Sequence, residues 1–302
     1  MDTLEHLLEK TSRTFAMTIP LLEEPLRERV AVAYLLFRIA DTFEDGERWS
    51  RALRRRALLD FAAMALRPDA LTDRDRARIK AWVADAPCRE AAYVELVGET
   101  ARVLEALARF PPEERSIVAL HTVRTADGMA RVLAASDDRG SVTLASVREL
   151  LDYCYVVAGI VGELLTELFL AACPQLESAR AVLEREAMAF GEALQLVNIL
   201  KDQRDDARDG RSYVPRNVDR SELFSLARAD LERAGVYVAA LQSAGAPRGV
   251  VAFCALPVLL AREALAAVEG NGPGSKVPRE RVFALALGLD QRLDAGAPAL
   301  AG

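Results

Sequence analysis

The chain has 302 residues, of which 51% are apolar, and a formal net charge of −6 from 39 basic and 45 acidic side chains. This mild acidic excess argues against a nucleic-acid-binding surface as the main function. The four cysteines form no CxxC pair and there are only two histidines, which argues against a zinc site and a disulfide framework and favours buried free thiols.

The predicted location is the cytosol, with at most a peripheral contact with a membrane surface. The first residues lack the basic and apolar regions of a signal peptide. The most apolar long stretch, 156–172, is interrupted by Glu163 and Glu167. This pattern predicts a buried helix rather than a transmembrane segment.

Helical signals dominate the whole chain, because Leu, Ala, Arg and Glu are abundant and no alternating strand pattern is flanked by hairpin turns. Prolines and glycines divide the chain into segments. The predicted helices are 3–16, 24–45, 48–66, 73–85, 89–109, 112–135, 144–172, 177–207, 220–243, 247–268 and 278–291. Predicted N-caps or near-caps are Ser50, Thr72, Thr143 and Asp219.

No long linker and no internal repeat interrupts these helices, so the sequence predicts one all-α domain over residues 1–302. The segments 30–40 and 153–172 are apolar on more than one face. A helix of that kind lies in the middle of a protein, surrounded by others. We therefore expect a helical bundle whose buried central helices line a cavity.

The first group of residues that could carry out chemistry follows directly after the apolar segment 30–40. Asp41 and Asp45 stand one turn apart and share a helix face, where two like charges repel unless a cation lies between them. Taken alone, this pair is equally consistent with a solvated acidic helix end.

The second group continues another apolar helix. Asn198, Asp202 and Asp206 recur at every fourth position and form one stripe, and Lys201 and Arg211 lie close by. Oxygen ligands on one face suit Mg²⁺, which shares its shell with water and substrate phosphates. Cations beside carboxylates suit a site for both metal and anionic phosphate.

Two apolar helices that end in the same DxxxD pattern favour metal–diphosphate binding over two unrelated charged surfaces. Mg²⁺ that bridges carboxylates and a diphosphate neutralises the leaving group, so that an allylic C–O bond can ionise. The resulting carbocation requires a dry, apolar cavity. Composition and motifs together predict isoprenoid chemistry.

Four sequence blocks carry a specific resemblance. They are TSRTFA at 11–16, YLLFRIADTFED at 34–45, YCYVVAGIVG at 153–162, and 195–215, which begins QLVN and ends RSYVP. In order and spacing they resemble the squalene/phytoene synthase family. The resemblance implies an all-α helical bundle of the isoprenoid synthase type with a central cavity, and prenyl diphosphates as substrates.

The resemblance also implies roles for individual residues. Metal ligands would be Asp41, Asp45, Asp202 and Asp206. Diphosphate contacts would be Ser12, Arg13, Tyr34, Arg38, Lys201 and Arg211, with Asn198 beside the second motif. The prenyl pocket would be lined by Val157, Ala158, Gly162 and Gln195. Arg38 and Tyr153 would be catalytic together with the aspartates, Tyr153 near the reacting carbons; the alternative for Tyr153 is a core aromatic.

The carboxyl-terminal part resembles the squalene synthase branch. FCALP at 253–257 precedes a glycine-rich loop with Lys276 and Arg279, which would bind NADPH; an ordinary surface loop is the alternative. Two positions depart from the family pattern: Lys201 stands where arginine is usual, and Ala193 where squalene synthases carry a phenylalanine.

The predicted function is the Mg²⁺-dependent head-to-head condensation of two farnesyl diphosphates through presqualene diphosphate, followed by NADPH-dependent reduction to squalene. The alternatives are a presqualene diphosphate, dehydrosqualene or phytoene synthase without the reductive step. A non-catalytic assembly factor would be expected to lose carboxylates of the two motifs, and this chain keeps all four. The sequence leaves the oligomeric state open.

Overall fold

The computed structural model describes residues 2–12, 14–137, 140–208 and 210–300. Within these ranges the chain is helical and contains no β-strand, apart from one isolated parallel bridge between Thr143 and Ser212. The prediction of an all-α fold is confirmed. The four cysteines are buried free thiols, as their scattered positions predicted.

The described residues divide into two compact units. Unit 1 contains the described residues up to Pro20 and those from Glu24 to Ser141. Unit 2 contains Leu21–Glu23 and the described residues from Val142 onward. The single domain over 1–302 stays a prediction, and each unit is described by itself.

The helices follow each other in chain order. The first eight are α1 (Asp2–Thr11), α2 (Phe15–Thr18), α3 (Leu26–Glu44), α4 (Arg51–Ala65), α5 (Asp73–Ala84), α6 (Ala91–Gly98), α7 (Thr100–Ala108) and α8 (Pro112–Ala135). The others are α9 (Val147–Cys154), α10 (Ile160–Ala172), α11 (Arg180–Arg208), α12 (Arg220–Ser243), α13 (Arg248–Asn271) and α14 (Arg279–Asp294). A π-helix, Tyr155–Gly159, joins α9 to α10, and short 3₁₀ helices span Ile19–Leu21 and Pro174–Ala179.

Three of the predicted N-caps are confirmed. Ser50 accepts a hydrogen bond from the backbone of Leu53, and Asp219 accepts one from Ser221. Thr72 forms a reciprocal capping box with Asp75. Each cap satisfies an amide that the first turn leaves without a partner.

The prediction of Thr143 as an N-cap is wrong. The helix begins at Val147, and Ser146 caps it by accepting a hydrogen bond from the backbone of Glu149. Thr143 instead lies in the bridge to Ser212, and the Leu144 amide donates to the Ser212 carbonyl at 3.0 Å. This pairing joins segments far apart in the chain, so no local sequence pattern predicts it.

The predicted helix 89–109 is interrupted. It divides into α6 and α7 at Glu99, directly after Gly98. The Thr100 hydroxyl donates to the Val97 carbonyl at 2.6 Å, a local bond that competes with the regular helical pattern. Glycine also has low helix propensity, so the break falls where the sequence is weakest as a helix.

An aromatic cluster forms the core of unit 1 below the end of α3. Phe43 is fully buried, and its ring centroid lies 4.7 Å from that of Trp82, 5.7 Å from Trp49 and 6.0 Å from Phe61. Such ring pairs stabilise a core beyond their buried area. The cluster fixes the turn of α3 that carries Asp41 and Asp45.

Helix α11 is the central element of unit 2 and contacts α9, α10, α12 and α13. Tyr237 of α12 is fully buried, stacks on Phe190 of α11 at 4.8 Å, and shares a hydrogen bond of 2.8 Å with Thr166 of α10. The central position of α11 holds the helix that bears the second aspartate motif.

Glycines allow α11 to lie very close to the chain before it. A Cβ built on Gly162 would lie 1.9 Å from the Ala187 carbonyl oxygen, and one built on Gly191 would lie 2.0 Å from the Ala158 carbonyl oxygen. Real Cβ atoms do not approach backbone so closely. Only glycine fits at these two positions.

Among the described residues, two helical stretches are long and apolar enough to cross a membrane, Val147–Ala172 and Arg248–Asn271. In their most apolar windows, 56% and 72% of the residues are buried inside the protein. Core helices share this length and composition, so the two stretches alone do not identify a membrane segment. The cytosolic location stays a prediction.

Candidate active site

Three carboxylates cluster at the carboxyl end of α3 in unit 1. Oxygens of Asp41, Glu44 and Asp45 all lie within 4.8 Å of one another. Glu44 is only 2% exposed, whereas the two aspartates are partly exposed. The predicted approach of Asp41 and Asp45 is observed, and Glu44, which was not predicted, joins them because it follows Asp41 by three residues on the same helix.

Arg54 of α4 holds the last turn of α3. It is 6% exposed, and its guanidinium donates to the Glu44 carbonyl and, at 3.1 Å, to the Gly140 carbonyl. The first bond satisfies a carbonyl that the helix end leaves without a partner, and the positive charge suits a helix carboxyl terminus. Arg54 therefore fixes the backbone beneath the carboxylate cluster.

A chain of hydrogen bonds connects the cluster to the amino-terminal segment. Arg38 donates to the Asp41 carboxylate and, through Nε, to the Tyr34 hydroxyl at 3.2 Å. Tyr34 donates in turn to the Thr11 carbonyl at 2.8 Å. Burial opposes the charge of the Arg38 guanidinium, but Asp41 and Tyr34 raise its pKa above the ordinary value. Arg38 is a permanent cation beside the carboxylates.

Two predicted diphosphate contacts precede this chain of bonds. Ser12 accepts a hydrogen bond of 2.9 Å from the Phe15 amide at the start of α2, and is partly exposed. Arg13 lies outside the described residues. The ring of Phe15 lies 5.3 Å from that of Tyr34, so the Ser12 turn is packed against α3.

The second motif lies along the last turns of α11 in unit 2. Lys201 Nζ donates to Asn198 Oδ1 at 2.9 Å and lies 3.3 Å from an oxygen of Asp202. Arg211 Nε lies 3.8 Å from Asp206 Oδ1, and both of these side chains are about one-fifth exposed. The predicted stripe is formed, and each aspartate lies beside a cation.

Asp206 and Arg211 open onto a cavity of about 310 Å³. Its other polar lining includes Gln203, Ser212 and Arg216. Two arginines against one aspartate give this cavity an excess of positive charge, which suits an anionic ligand. Gln203 and Arg216 were not among the predicted site residues; Arg216 follows directly after the family-like RSYVP block.

Tyr153 packs against Tyr213 at the wall of the same region. The two rings are stacked with centroids 4.6 Å apart, and the side chains are 5% and 6% exposed. Tyr213 also lines the cavity beside Asp206. The stacking fixes the plane of the Tyr153 ring, so its orientation depends on the segment that comes after the second motif.

The predicted prenyl-pocket residues occupy two adjoining elements of unit 2. Val157 and Ala158 lie in the π-helix and are partly exposed, as is Gln195 of α11. Gly162 is buried at the close approach of α10 to α11. The Gly162 backbone is therefore part of a helix contact, and its role in a pocket stays a prediction.

A backbone hydrogen bond connects the glycine-rich loop before α14 to the second motif. The Gly274 amide donates to the Lys201 carbonyl at 2.7 Å, and the Ser275 hydroxyl donates to the Gly272 carbonyl at 2.6 Å. Gly272 and Gly274 have φ angles of 87° and 90°, which other residues rarely adopt. Lys276 and Arg279, both exposed, come after this contact.

A buried acid on α11 was not among the predicted site residues. Glu192 is 6% exposed, and one of its oxygens would lie 3.3 Å from a Cβ on Gly159. Burial raises its pKa to about 7, Asp230, Glu163 and Asp152 contribute in the same direction, and Arg233 opposes them. In the folded protein, Glu192 is half-protonated near neutral pH.

Glu192→Gln is expected to stabilise the protein at pH 8 by about 1–3 kcal/mol and to have no effect below pH 4.5. The pKa of Glu192 is about 7 in the folded protein and 4.5 ordinarily, so between these pH values the folded state keeps a proton that the unfolded state has lost. The free energy of unfolding of the unmodified protein therefore falls as the pH rises from 4.5 through 7. Urea unfolding at both pH values measures the difference. Glu232→Gln, on the exposed surface of α12, is the control, and equal effects of both substitutions would contradict the prediction.

Comparison with known proteins first defines the class. The fold is that of the all-α isoprenoid synthases. A solved structure of TcSQS in complex with a ligand superimposes with a TM-score of 0.75, at 22% identity, over 98% of this chain and 88% of that chain. A dehydrosqualene synthase in complex with a ligand gives a TM-score of 0.62, at 20% identity, over 97% and 96%.

The profile of the squalene/phytoene synthase family matches residues 8–285. The chain therefore belongs to that family, as its sequence motifs predicted. Squalene synthase of Eremothecium gossypii is 27% identical over 88% of this chain and 61% of its own length. Squalene synthase of Candida albicans is 30% identical over 70% and 44%. The chain thus spans only about half the length of these curated relatives.

Proposed function

We propose that this protein condenses two farnesyl diphosphates head to head to presqualene diphosphate, in a Mg²⁺-dependent reaction, and reduces that intermediate to squalene with NADPH. The observation that carries the proposal is the carboxylate cluster of Asp41, Glu44 and Asp45 beside the cation of Arg38. Family membership supports the same class of reaction.

The described residues fit Mg²⁺. Its ligands lie at about 2.1 Å, so that two oxygens on one ion are at most about 4.2 Å apart. The oxygens of the cluster on α3 lie within 4.8 Å of one another, which is close to this limit. Asp41 and Asp45 would hold Mg²⁺ in unit 1, and Asp202 and Asp206 would hold Mg²⁺ in unit 2. When bound, Mg²⁺ neutralises the diphosphate leaving group.

The protein's own cations bind and orient the diphosphates. Arg38 and Arg211 each lie beside an aspartate of a motif, and a guanidinium with its five N–H donors suits the oxygens of a phosphate group. Lys201 contributes a third positive charge, and Ser12, Tyr34 and Asn198 contribute hydrogen bonds. Arg13 has the same proposed role but lies outside the described residues.

The apolar part of the site excludes water from the reacting carbons. Val157, Ala158, Gly162 and Gln195 line the prenyl chains in this proposal, and Tyr153 stands near the reacting carbons with its ring held by Tyr213. A phenol in an apolar environment can stabilise a cation with its ring and accept a proton at its oxygen.

The reductive step is proposed on the loop at Gly272–Gly274. Its hydrogen bond to Lys201 brings the segment that carries Lys276 and Arg279 next to the second motif within unit 2. Both side chains are exposed and cationic, which suits the phosphates of NADPH. When bound, NADPH supplies the hydride that quenches the final cation.

The experiment incubates purified protein with farnesyl diphosphate and Mg²⁺, with and without NADPH, and identifies the products by mass spectrometry. Squalene that depends on NADPH supports the full proposal. Presqualene diphosphate or dehydrosqualene under both conditions would remove the reductive step and favour the non-reductive synthases. Absence of any condensation product, also with geranylgeranyl diphosphate, would favour a non-catalytic assembly factor.

The double substitution Lys276→Ala and Arg279→Ala is expected to leave presqualene diphosphate formation within about twofold of the unmodified protein. It is expected to lower NADPH-dependent squalene formation about 10- to 100-fold, because the charge-assisted contacts of these two exposed side chains are together worth about 1.5–3 kcal/mol. Product analysis across a series of NADPH concentrations measures both quantities. Arg74→Ala with Lys80→Ala, two exposed cations of α5, is the matched control. Equal losses in both reactions would refute a specific role in NADPH binding.

A further inference from the structure

Arg38 contacts aromatic rings from two different helices. Its guanidinium carbon lies 5.7 Å from the ring centroid of Tyr34, four residues earlier on α3. It lies 5.5 Å from the ring centroid of Tyr93, which α6 contributes. Both distances are within the range of a cation–π interaction. Family-like motifs include Tyr34 but not Tyr93.

The hydroxyl groups of the two tyrosines differ in their hydrogen bonds. The Tyr34 hydroxyl accepts from Arg38 Nε and donates to the Thr11 carbonyl, so Tyr34 is held by hydrogen bonds. Within the described ranges, the Tyr93 hydroxyl has no hydrogen-bond partner, and Tyr93 contacts the site through its ring. Burial raises the pKa of Tyr93, and the nearby Arg38 cation opposes that rise.

The bonds of Arg38 explain why a second ring matters. Nε is used by Tyr34 and one Nη1 hydrogen by Asp41, and in the part of the chain that the structure describes no other hydrogen bond of Arg38 occupies the remaining N–H groups, which an anionic ligand could use. Both hydrogen bonds come from side chains of α3 itself. The ring of Tyr93 adds a restraint from a separate helix, and a more restricted cation loses less entropy when it binds an anion.

We propose that Tyr93 is a positioning residue that holds the Arg38 guanidinium, through its ring, in the orientation that binds a diphosphate. This inference rests on the proposed function, because it assigns the diphosphate to Arg38. It concerns the ring alone, so phenylalanine is expected to replace tyrosine and leucine is not.

The test measures binding of inorganic pyrophosphate by calorimetry in the presence of Mg²⁺. Tyr93→Leu is expected to raise the Kd for pyrophosphate about 10-fold, the value of a partly desolvated cation–π contact. Tyr93→Phe is expected to stay within about twofold of the unmodified protein. Phe110→Leu is the matched control in the same unit, since it removes the ring over which Arg29 lies, at 4.7 Å.

The control separates positioning from general loss of stability. Both leucine variants are expected to lower the melting temperature, but only Tyr93→Leu is expected to weaken pyrophosphate binding. An unchanged Kd in folded Tyr93→Leu would overturn the inference while the proposed function stands. If Tyr93→Leu does not fold, Tyr93→Phe decides, because a 10-fold weaker Kd there would show that the ring is insufficient and overturn the inference. No pyrophosphate binding by the unmodified protein would overturn the proposed function itself.

Discussion

Asp206→Asn is expected to lower the rate of prenyl diphosphate consumption by about 100- to 1,000-fold, the usual loss for one charged group that stabilises a leaving anion. Asparagine keeps the size of the side chain but removes the negative charge that attracts Mg²⁺ most strongly. Asp206 is about one-fifth exposed at a cavity, so the substitution disturbs little packing. Turnover at limiting Mg²⁺ and the helical circular-dichroism signal are measured together.

The neighbouring residue offers a matched control. Asp205 precedes Asp206 on the same helix, points off the stripe, and forms an exposed ion pair with Arg208 at 2.9 Å. Asp205→Asn is expected to keep turnover within about twofold, since exposed ion pairs contribute little. The same comparison applies to Asp41→Asn in unit 1. Near-normal turnover of Asp206→Asn at limiting Mg²⁺ would show that Asp206 is not a metal ligand.

Gly162→Ala is expected to lower the free energy of unfolding by about 3 kcal/mol. The new methyl group would lie 1.9 Å from the Ala187 carbonyl oxygen, which is backbone of the central helix and cannot rotate away. The helices must therefore separate, and the contacts between α10 and α11 are lost with them. Urea unfolding followed by circular dichroism measures the change.

Gly270→Ala is the control for helix propensity. Gly270 lies in α13, and no heavy atom lies within 4 Å of the position that its Cβ would take. This substitution is expected to be neutral or to stabilise by up to about 1 kcal/mol, because alanine is the better helix former. Equal stability of both variants would show that α10 and α11 do not approach each other so closely.

The sequence predicted those features that depend on local geometry. Asp41 and Asp45 share a face because a helix repeats every 3.6 residues, and this holds whatever packs around them. The caps at Ser50 and Thr72 were predictable for the same reason, since a cap and the amide it satisfies lie within one turn.

The features that the sequence did not predict depend on distant neighbours. Tyr93 contacts Arg38 only because α6 packs near α3, and Arg54 reaches the Glu44 carbonyl only because α4 folds back on the end of α3. The raised pKa of Glu192 depends on burial between helices. None of these contacts has a fixed sequence spacing, so pattern analysis cannot find them.

The π-helix at Tyr155–Gly159 determines how the protein would respond to the deletion of one residue in this segment. A π-turn behaves as one extra residue inserted into an α-helix, and it rotates the preceding helix α9 relative to α10. Loss of one residue there would leave an unbroken helix of ordinary hydrogen bonding, with Gly162 still against α11. Tyr153 would then turn by about 100° around the helix axis and leave the ring of Tyr213. A shortened chain of this kind would keep α10 against α11 and yet carry the phenol of Tyr153 on the wrong side of α9.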